Sequence, residues 1–442
     1  MLSRRAMLRL GPLGVGLGWS APARAQRRAA TPSGPLPPSI AALPSMKERA
    51  RPFTNAERLA RIEKARRLMA AEKIDAILMT GGSSPLYFAN VSFGGGERLW
   101  ALVIPAKGEP FLVCPAFEET RARELLTDSP FGANTDVRTW QEDESPFQRV
   151  AAGLKDRGIA SGRLGVEETV KFVFADSIAQ AAPALRVVSA LPITAGCRMI
   201  KDAHEVECLR LAGEATLAVY KAVYESLKEG MTQADVSGLI QAGYARVGFS
   251  GFASLNVGEY TASPHGSRTP QTIREGTILM VDDGCRVEGY TSDITRTFVL
   301  GTPTAKMRQV FDIVRRAQQA ALAAARPGVP NEAVDAAARQ VLTDAGYGPG
   351  FKYLTHRVGH GLGMDMHEWP YLVKHNMYGW PVDPTLQPGM VFSDEPGIYI
   401  PGEFGIRLED DMHITESGAE LLTPTSPSLE QPFGTSQGSS GR

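Results

Sequence analysis

Apolar residues recur along this chain at two spacings, and the switches between them mark its elements. Over residues 57–73 they fall at Leu59, Ile62, Ala65, Leu68 and Met69, the three-and-four rhythm of a helix with one covered face. Residues 74–80 are a largely apolar run, read as a strand that Gly81-Gly82 stops. Runs at 99–104 and 110–114 flank Lys107-Gly108 and predict a hairpin. Helical spacing returns at 118–126, then come a strand at 164–167, a helix near 176–181 and a strand at 185–189. Such alternation predicts an α/β unit that ends near Leu191.

Beyond it the pattern changes. Asp202 with Glu205 three residues on reads as a capping box, opening a helix to about residue 228 that Gly230 ends. Thr232 caps a second helix to about 247, and a strand at 252–257 leads into a loop that holds His265 between Pro264 and Gly266. Residues 278–281 read as a strand, Gly284 as a turn, and 287–298 as the returning strand. Ala-rich helices at 304–325 and 331–345 are packing surfaces for a sheet, and further strands surround Glu395 and Glu409. Two domains follow, at 51–195 and 196–425.

The ends are of another kind. Arg4-Arg5, a short apolar run at 10–19 and Ala21-Pro-Ala-Arg-Ala25 make residues 1–25 a signal peptide of the twin-arginine type. An exported, periplasmic protein is expected. Residues 26–50, with Pro32, Pro35, Pro37, Pro38 and Pro44, read as a linker or extended strap rather than a core element. Residues 426–442 read as a disordered tail.

Composition narrows the function only by what it lacks. A chain of 442 residues, 43% hydrophobic and 21% charged, is ordinary for a globular protein. Its net charge of −1 gives no pull toward nucleic acid or an anionic membrane, and neither partner is expected. Cys114, Cys197, Cys208 and Cys285 show no CxxC spacing, and Cys114, Cys208 and Cys285 read as buried thiols.

The chemistry begins at Asp282 and Asp293, on the two arms of the predicted hairpin. Carboxylates in so apolar a setting are costly to bury, and two of them oppose each other's ionisation. A cation is the simplest compensation. Further ligands stand at His360 between glycines, at Glu395 after an apolar run and at Glu409 in another. Four carboxylates with one imidazole suit hard or borderline divalent ions, and two such ions balance the charge. Arg407, two residues before Glu409, shares its strand face and could bond a ligand carboxylate or grip a substrate carboxylate. Asp283 adds a third acid to the hairpin, while Lys374, His375 and Trp380 form a loop without a readable role. His204, in the first turn of its helix, reads as solvated, and His413 as structural.

In their order and contexts, Met280-Val-Asp-Asp-Gly, Ser292-Asp-Ile-Thr-Arg, His356-Arg-Val-Gly-His-Gly, Ser393-Asp-Glu-Pro-Gly and Arg407-Leu-Glu-Asp resemble the pita-bread metallopeptidases. That family includes methionine aminopeptidase, aminopeptidase P, proline dipeptidase and creatinase. The resemblance implies an α/β N-terminal creatinase-like domain followed by an α+β pita-bread catalytic domain. It implies two divalent metal ions, Mn first and Co, Zn or Fe next, on Asp282, Asp293, His360, Glu395 and Glu409. His265, His356 and His367 match pocket histidines, and His367-Glu-Trp-Pro370 resembles the pocket of proline-cleaving members. The N-terminal domain is implied to cover the mouth of the site and to aid formation of a homodimer.

The expected activity is hydrolysis of Xaa-Pro dipeptides, with a small peptide carrying proline at its second position as substrate. Glu395, His367 and His265 are the expected catalytic residues. His265, His356, His367 and Arg407 are expected to bind substrate, with Trp369 and Tyr399 as further walls. Trp100 is expected as a core or surface aromatic rather than as a lid. Aminopeptidase P, a metal-dependent lyase or another hydrolase on the same fold, and a binding protein that has lost the chemistry are the alternatives.

Overall fold

The structure, a computed structural model of the chain, describes residues 34–374, 381 and 384–434. The leader, the first residues of the linker, His375, Trp380 and the end of the tail lie outside these residues. The described part of the linker is no loose spacer. It forms a short helix, α1 (Pro38–Ala41), with Ile40 fully buried and Leu43 nearly so. Ser39 Oγ donates to the Ala222 carbonyl at 2.7 Å, and the Met46 N–H to that of Val247 at 2.8 Å. Two apolar side chains among prolines suffice to dock the strap, which corrects the expectation of a segment outside the core.

Helix α2 (Asn55–Glu72) starts at a capping box of Thr54 and Glu57. Its covered face is rotated from the predicted one: Leu59 is 47% exposed, whereas Arg58 and Arg61 are 7% and 5% exposed. The arginines are buried because partners await them. Arg58 bonds the Leu86 carbonyl, and Arg61 bonds the Tyr87 carbonyl at 3.1 Å and lies over the rings of Phe53 and Tyr87. His204 is corrected in the same way. It is buried, packed at a tilt against the Phe53 ring, and bonded to Glu57 and the Arg51 carbonyl at 2.8 Å each.

The N-terminal domain continues with β1 (Ala76–Met79), α3 (Ser83–Ala89), β2 (Ala101–Pro105), β3 (Phe111–Pro115), α4 (Glu119–Thr127) and β4 (Asp136–Trp140). It ends with α5 (Pro146–Asp156), β5 (Gly162–Val166), α6 (Phe172–Ala181), β6 (Leu185–Ser189) and α7 (Leu191–Arg198). Its mixed six-stranded sheet has the order β4-β3-β2-β1-β5-β6, and β2–β3 is the predicted antiparallel hairpin. Helices on both faces bury the apolar runs, as an α/β domain requires. Trp100 is a core residue beside Phe93.

The second domain opens with α8 (Ala203–Tyr224), capped by Asp202 and Glu205 as predicted but ending short of residue 228. After α9 (Gln233–Val247) come β7 (Ser250–Gly251), β8 (Ser254–Val257), β9 (Ile278–Asp282), β10 (Cys285–Val287), β11 (Tyr290–Thr291) and β12 (Arg296–Val299). The expected hairpin is real but its turn is elsewhere. β9 pairs with β12, and between them β10 and β11 make a smaller hairpin that turns at Glu288 and Gly289, both at positive φ. Gly284 serves close approach instead, since a Cβ there would stand 2.2 Å from the Ser292 carbonyl.

Helices α10 (Ala305–Ala324) and α11 (Asn331–Asp344) pack on each other and on the sheets that follow. Those strands are β13 (Gly359–Gly361), β14 (Glu368–Leu372), β15 (Val391–Asp394), β16 (Gly397–Ile400), β17 (Phe404–Arg407), β18 (Asp410–Ile414) and β19 (Ala419–Leu421). A five-stranded sheet runs β14-β13-β15-β18-β19, and β16–β17 is a separate ribbon. Residues 424–434 are also docked: Leu429 is 1% exposed and Phe433 packs on Tyr224. No helix among the described residues is long and apolar enough to cross a membrane.

Candidate active site

All five sequence-predicted ligands meet in one cleft of about 680 Å³. Asp282 ends β9, Asp293 lies in the link from β11 to β12, and His360 is the middle residue of β13. Glu395 follows β15, and Glu409 sits in the break between β17 and β18 rather than inside a strand. Three groups of ligand atoms each fall within 4.8 Å: Asp282, Asp293 and Glu409; His360, Glu395 and Glu409; and Asp293, His360 and His367. Asp293 and Glu409 belong to two groups apiece, so the set is continuous. His360 Nε2 stands 3.2 Å from Glu395 and 3.6 Å from Asp293.

These residues fit a divalent cation better than they fit one another. Thr295 Oγ1 lies 2.6 Å from Asp282 and 2.5 Å from Glu409, yet a hydroxyl has one proton to give. Only one of those two carboxylate oxygens can take it, and of the pair Asp282 has a guanidinium bond besides. Burial, then the carboxylate of Asp282, pushes Asp293 well above the usual range, and burial with Asp293 does the same to Glu409. Burial also opposes ionisation of Glu395, but the hydrogen bond and charge of His360, aided by His356, outweigh it and hold this acid low.

The one guanidinium among them is already committed. Arg407 bonds Asp282 through Nη2, Thr295 through Nε at 3.0 Å, and both Tyr399 and the Pro264 carbonyl through Nη1. Of the two roles open to it, holding a ligand is the one the geometry takes. For gripping a substrate carboxylate one N–H of Nη2 is left, since the other four have partners inside the protein.

Tyr399 is likewise no wall. It is 2% exposed, accepts from Arg407 at 3.0 Å and meets His356 Nε2 at 2.7 Å. With Nδ1–H of His356 donating to the Arg357 carbonyl at 2.8 Å, Nε2 is free to accept the tyrosine proton. Burial lowers the His356 pKa, consistent with this neutral ring. Trp369 is 7% exposed and packs with Leu191, Ala195 and Tyr371 beside the cleft rather than lining it.

His265 and His367 both line the cleft. The His367 ring stacks on His360 with centroids 3.7 Å apart. The low-dielectric walls and then His360 push its pKa down to about 4, so it stands neutral with an N–H to give. Asp283 also lines the cleft, at φ 104°, and accepts the Ser254 N–H at 3.2 Å. Burial and Asp282 push its carboxyl up to about 8. Phe252, 53% exposed, and Arg357 were not singled out by sequence. Arg357 had a signal, its place among the histidines. Phe252 had none, since an apolar residue opening a strand reads as core.

Comparison with known proteins places this geometry. The model of metallopeptidase family M24 matches residues 207–416, and that of the creatinase/prolidase N-terminal domain matches 61–200. An Xaa-Pro dipeptidase of Lactobacillus delbrueckii subsp. lactis is 32% identical over 377 residues, 84% of this chain and 98% of that protein. The crystal structure of dipeptidase PepE from Mycobacterium ulcerans superposes with a TM-score of 0.77 at 34% identity, covering 86% of this chain and 99% of that one. A prolidase from Pyrococcus furiosus gives 0.67 at 29% identity, with 81% and 99% covered. Both the two-domain pita-bread architecture and the acid-rich cleft are accounted for, and the chain belongs to metallopeptidase family M24.

Proposed function

We propose that this protein is a metal-dependent Xaa-Pro dipeptidase. The observation that carries this reading is the continuous cluster of Asp282, Asp293, His360, Glu395 and Glu409, whose buried acids lack enough donors of their own. Those five residues would hold two divalent ions, with Mn ahead of Co, Zn or Fe for so oxygen-rich a set. When bound, the ions supply Lewis acidity and a water that ionises near neutral pH.

The side chains supply the rest. Glu395, held ionised, accepts a proton from the attacking water at a carboxylate oxygen and passes it to the departing proline nitrogen. His367, neutral and at the cleft wall, donates its N–H to the carbonyl oxygen as charge develops there. His265 stands across the same cleft and contacts the proline residue, with Phe252 as an apolar wall. His356, Tyr399 and Arg407 orient Glu395 and Asp282 from behind. Export to the periplasm is supported by Arg4-Arg5 and the run at 10–19. Exposed Phe117 and Phe172 on the N-terminal domain support a homodimer.

The experiment is to strip the purified protein, reload it with Mn, Co or Zn, and offer an Xaa-Pro dipeptide, an Xaa-Pro-Xaa tripeptide and a dipeptide without proline. Cleavage confined to the first supports the proposal. Cleavage of the tripeptide moves it to aminopeptidase P, and metal binding without cleavage points to a lyase.

A further inference from the structure

A second pocket, of about 380 Å³, opens off the catalytic cleft where His367 and Tyr371 form a wall common to both. It lies between the two domains. Leu191, Ala195 and Trp369 make an apolar patch on its side, and Glu167 and Glu168, just past β5, stand at another. The remaining charges there cancel in place. Arg198 pairs with Asp365 at 2.6 Å and with Glu368, and Lys201 meets Glu368 at 2.9 Å. Among the described residues no ion pair reaches Glu167 or Glu168. Glu167 is 5% exposed, and its hydrogen-bond partners are the hydroxyls of Ser84 and Thr169. Burial pushes this carboxyl up to about 7.

An apolar flank leading to an acid that no ion pair among the described residues answers, Arg198 acting on it only through charge while paired with Asp365 and Glu368, matches a long side chain that ends in positive charge. In an Xaa-Pro dipeptide only the first residue can send an arm out of the main cleft, because the proline side chain closes on its own nitrogen. Taking the Xaa-Pro dipeptidase reading as its basis, we propose that this pocket receives the side chain of the residue before proline and selects lysine or arginine there. Glu167 is the residue that reads the charge, Glu168 adds to it, and the patch around Trp369 holds the methylene stem.

The test compares kcat/KM for Lys-Pro, Met-Pro and Glu-Pro in the metal-loaded protein and in Glu167→Gln, with binding of the same peptides to metal-stripped protein by calorimetry. The expected result is a Lys-Pro to Met-Pro ratio above one that falls about tenfold in the variant, as for loss of a hydrogen bond between charged groups. Ala195→Phe, which narrows the pocket without touching the acid, is expected to depress both Lys-Pro and Met-Pro relative to Gly-Pro. A ratio unchanged by Glu167→Gln, or a preference for Glu-Pro, overturns the proposal. If no peptide is cleaved yet metal-stripped protein still binds Lys-Pro over Met-Pro, the dipeptidase reading fails and the pocket assignment stands. If neither cleavage nor that binding preference is found, both fall.

Discussion

Arg61 with Glu205, at the junction of the two domains, is as deeply buried as Asp293 with Glu409 in the cleft. At the junction every charge is answered from within the chain. Arg61 stands 3.6 Å from Glu205 and 3.1 Å from the Tyr290 hydroxyl, which in turn donates to Glu205. In the cleft Arg407 bonds Asp282 and lies 3.9 Å from Glu409, Asp293 and Glu395 have no guanidinium pair among the described residues, and Thr295 has one proton for two carboxylates. The first arrangement is closed and holds the domains together. The second is left open, and its surplus of acid is what a cation would relieve.

The difference can be broken most sharply from the cleft side. Asp293→Asn and Glu409→Gln should lower turnover by at least about a thousandfold, as losses of a group that acts as a unit with others do. Metal content should fall with turnover, while the melting temperature of the metal-stripped protein holds or rises because a repelling charge has gone. A drop in that melting temperature would show the cleft to be closed after all. Arg61→Ala should do the opposite, costing about 3–5 kcal/mol in urea unfolding by stranding Glu205, with turnover per folded molecule retained.

Glu167 stands between the two cases, since hydroxyls bond it and Arg198 reaches it only through charge, its ion pairs being made to Asp365 and Glu368. Its pKa is raised from 4.5 to about 7, so between those pH values the folded state keeps a proton that the unfolded state has lost. The stability this group contributes is full below pH 4.5 and falls by about 3 kcal/mol as pH rises through 7. Glu167→Gln should flatten that part of the melting-temperature profile. Least in size, Tyr399→Phe should reduce kcat about tenfold by releasing His356, with metal content intact.

What sequence could disclose follows the same division. Asp282, Asp293, Glu395 and Glu409 were legible because an acid in an apolar run is an anomaly whatever surrounds it. The cap at Thr232 and the capping box at Asp202 were legible because cap and helix are neighbours in the chain. Arg58 and Arg61 were not, since the Leu86 and Tyr87 carbonyls and Tyr290 that admit them are distant in sequence. Arg407 was placed on the right face, but how its fork is spent depends on Pro264, Thr295 and Tyr399 together. Gly284 read as a turn because glycine has two uses, and only the backbone of Ser292 tells them apart.

The docked strap bears on the order in which the molecule is completed. Ile40 and Leu43 settle against helices α8 and α9, and Ser39 bonds a carbonyl 183 residues further along. Closing so long a loop must wait until its far end is in place, and the entropy of closure is recovered only then. The first described residues of the chain therefore cannot find their seat until Val247, at the end of α9, has been made. Until both helices exist, the strap is free chain, open to a protease or to whatever machinery handles the segment before it.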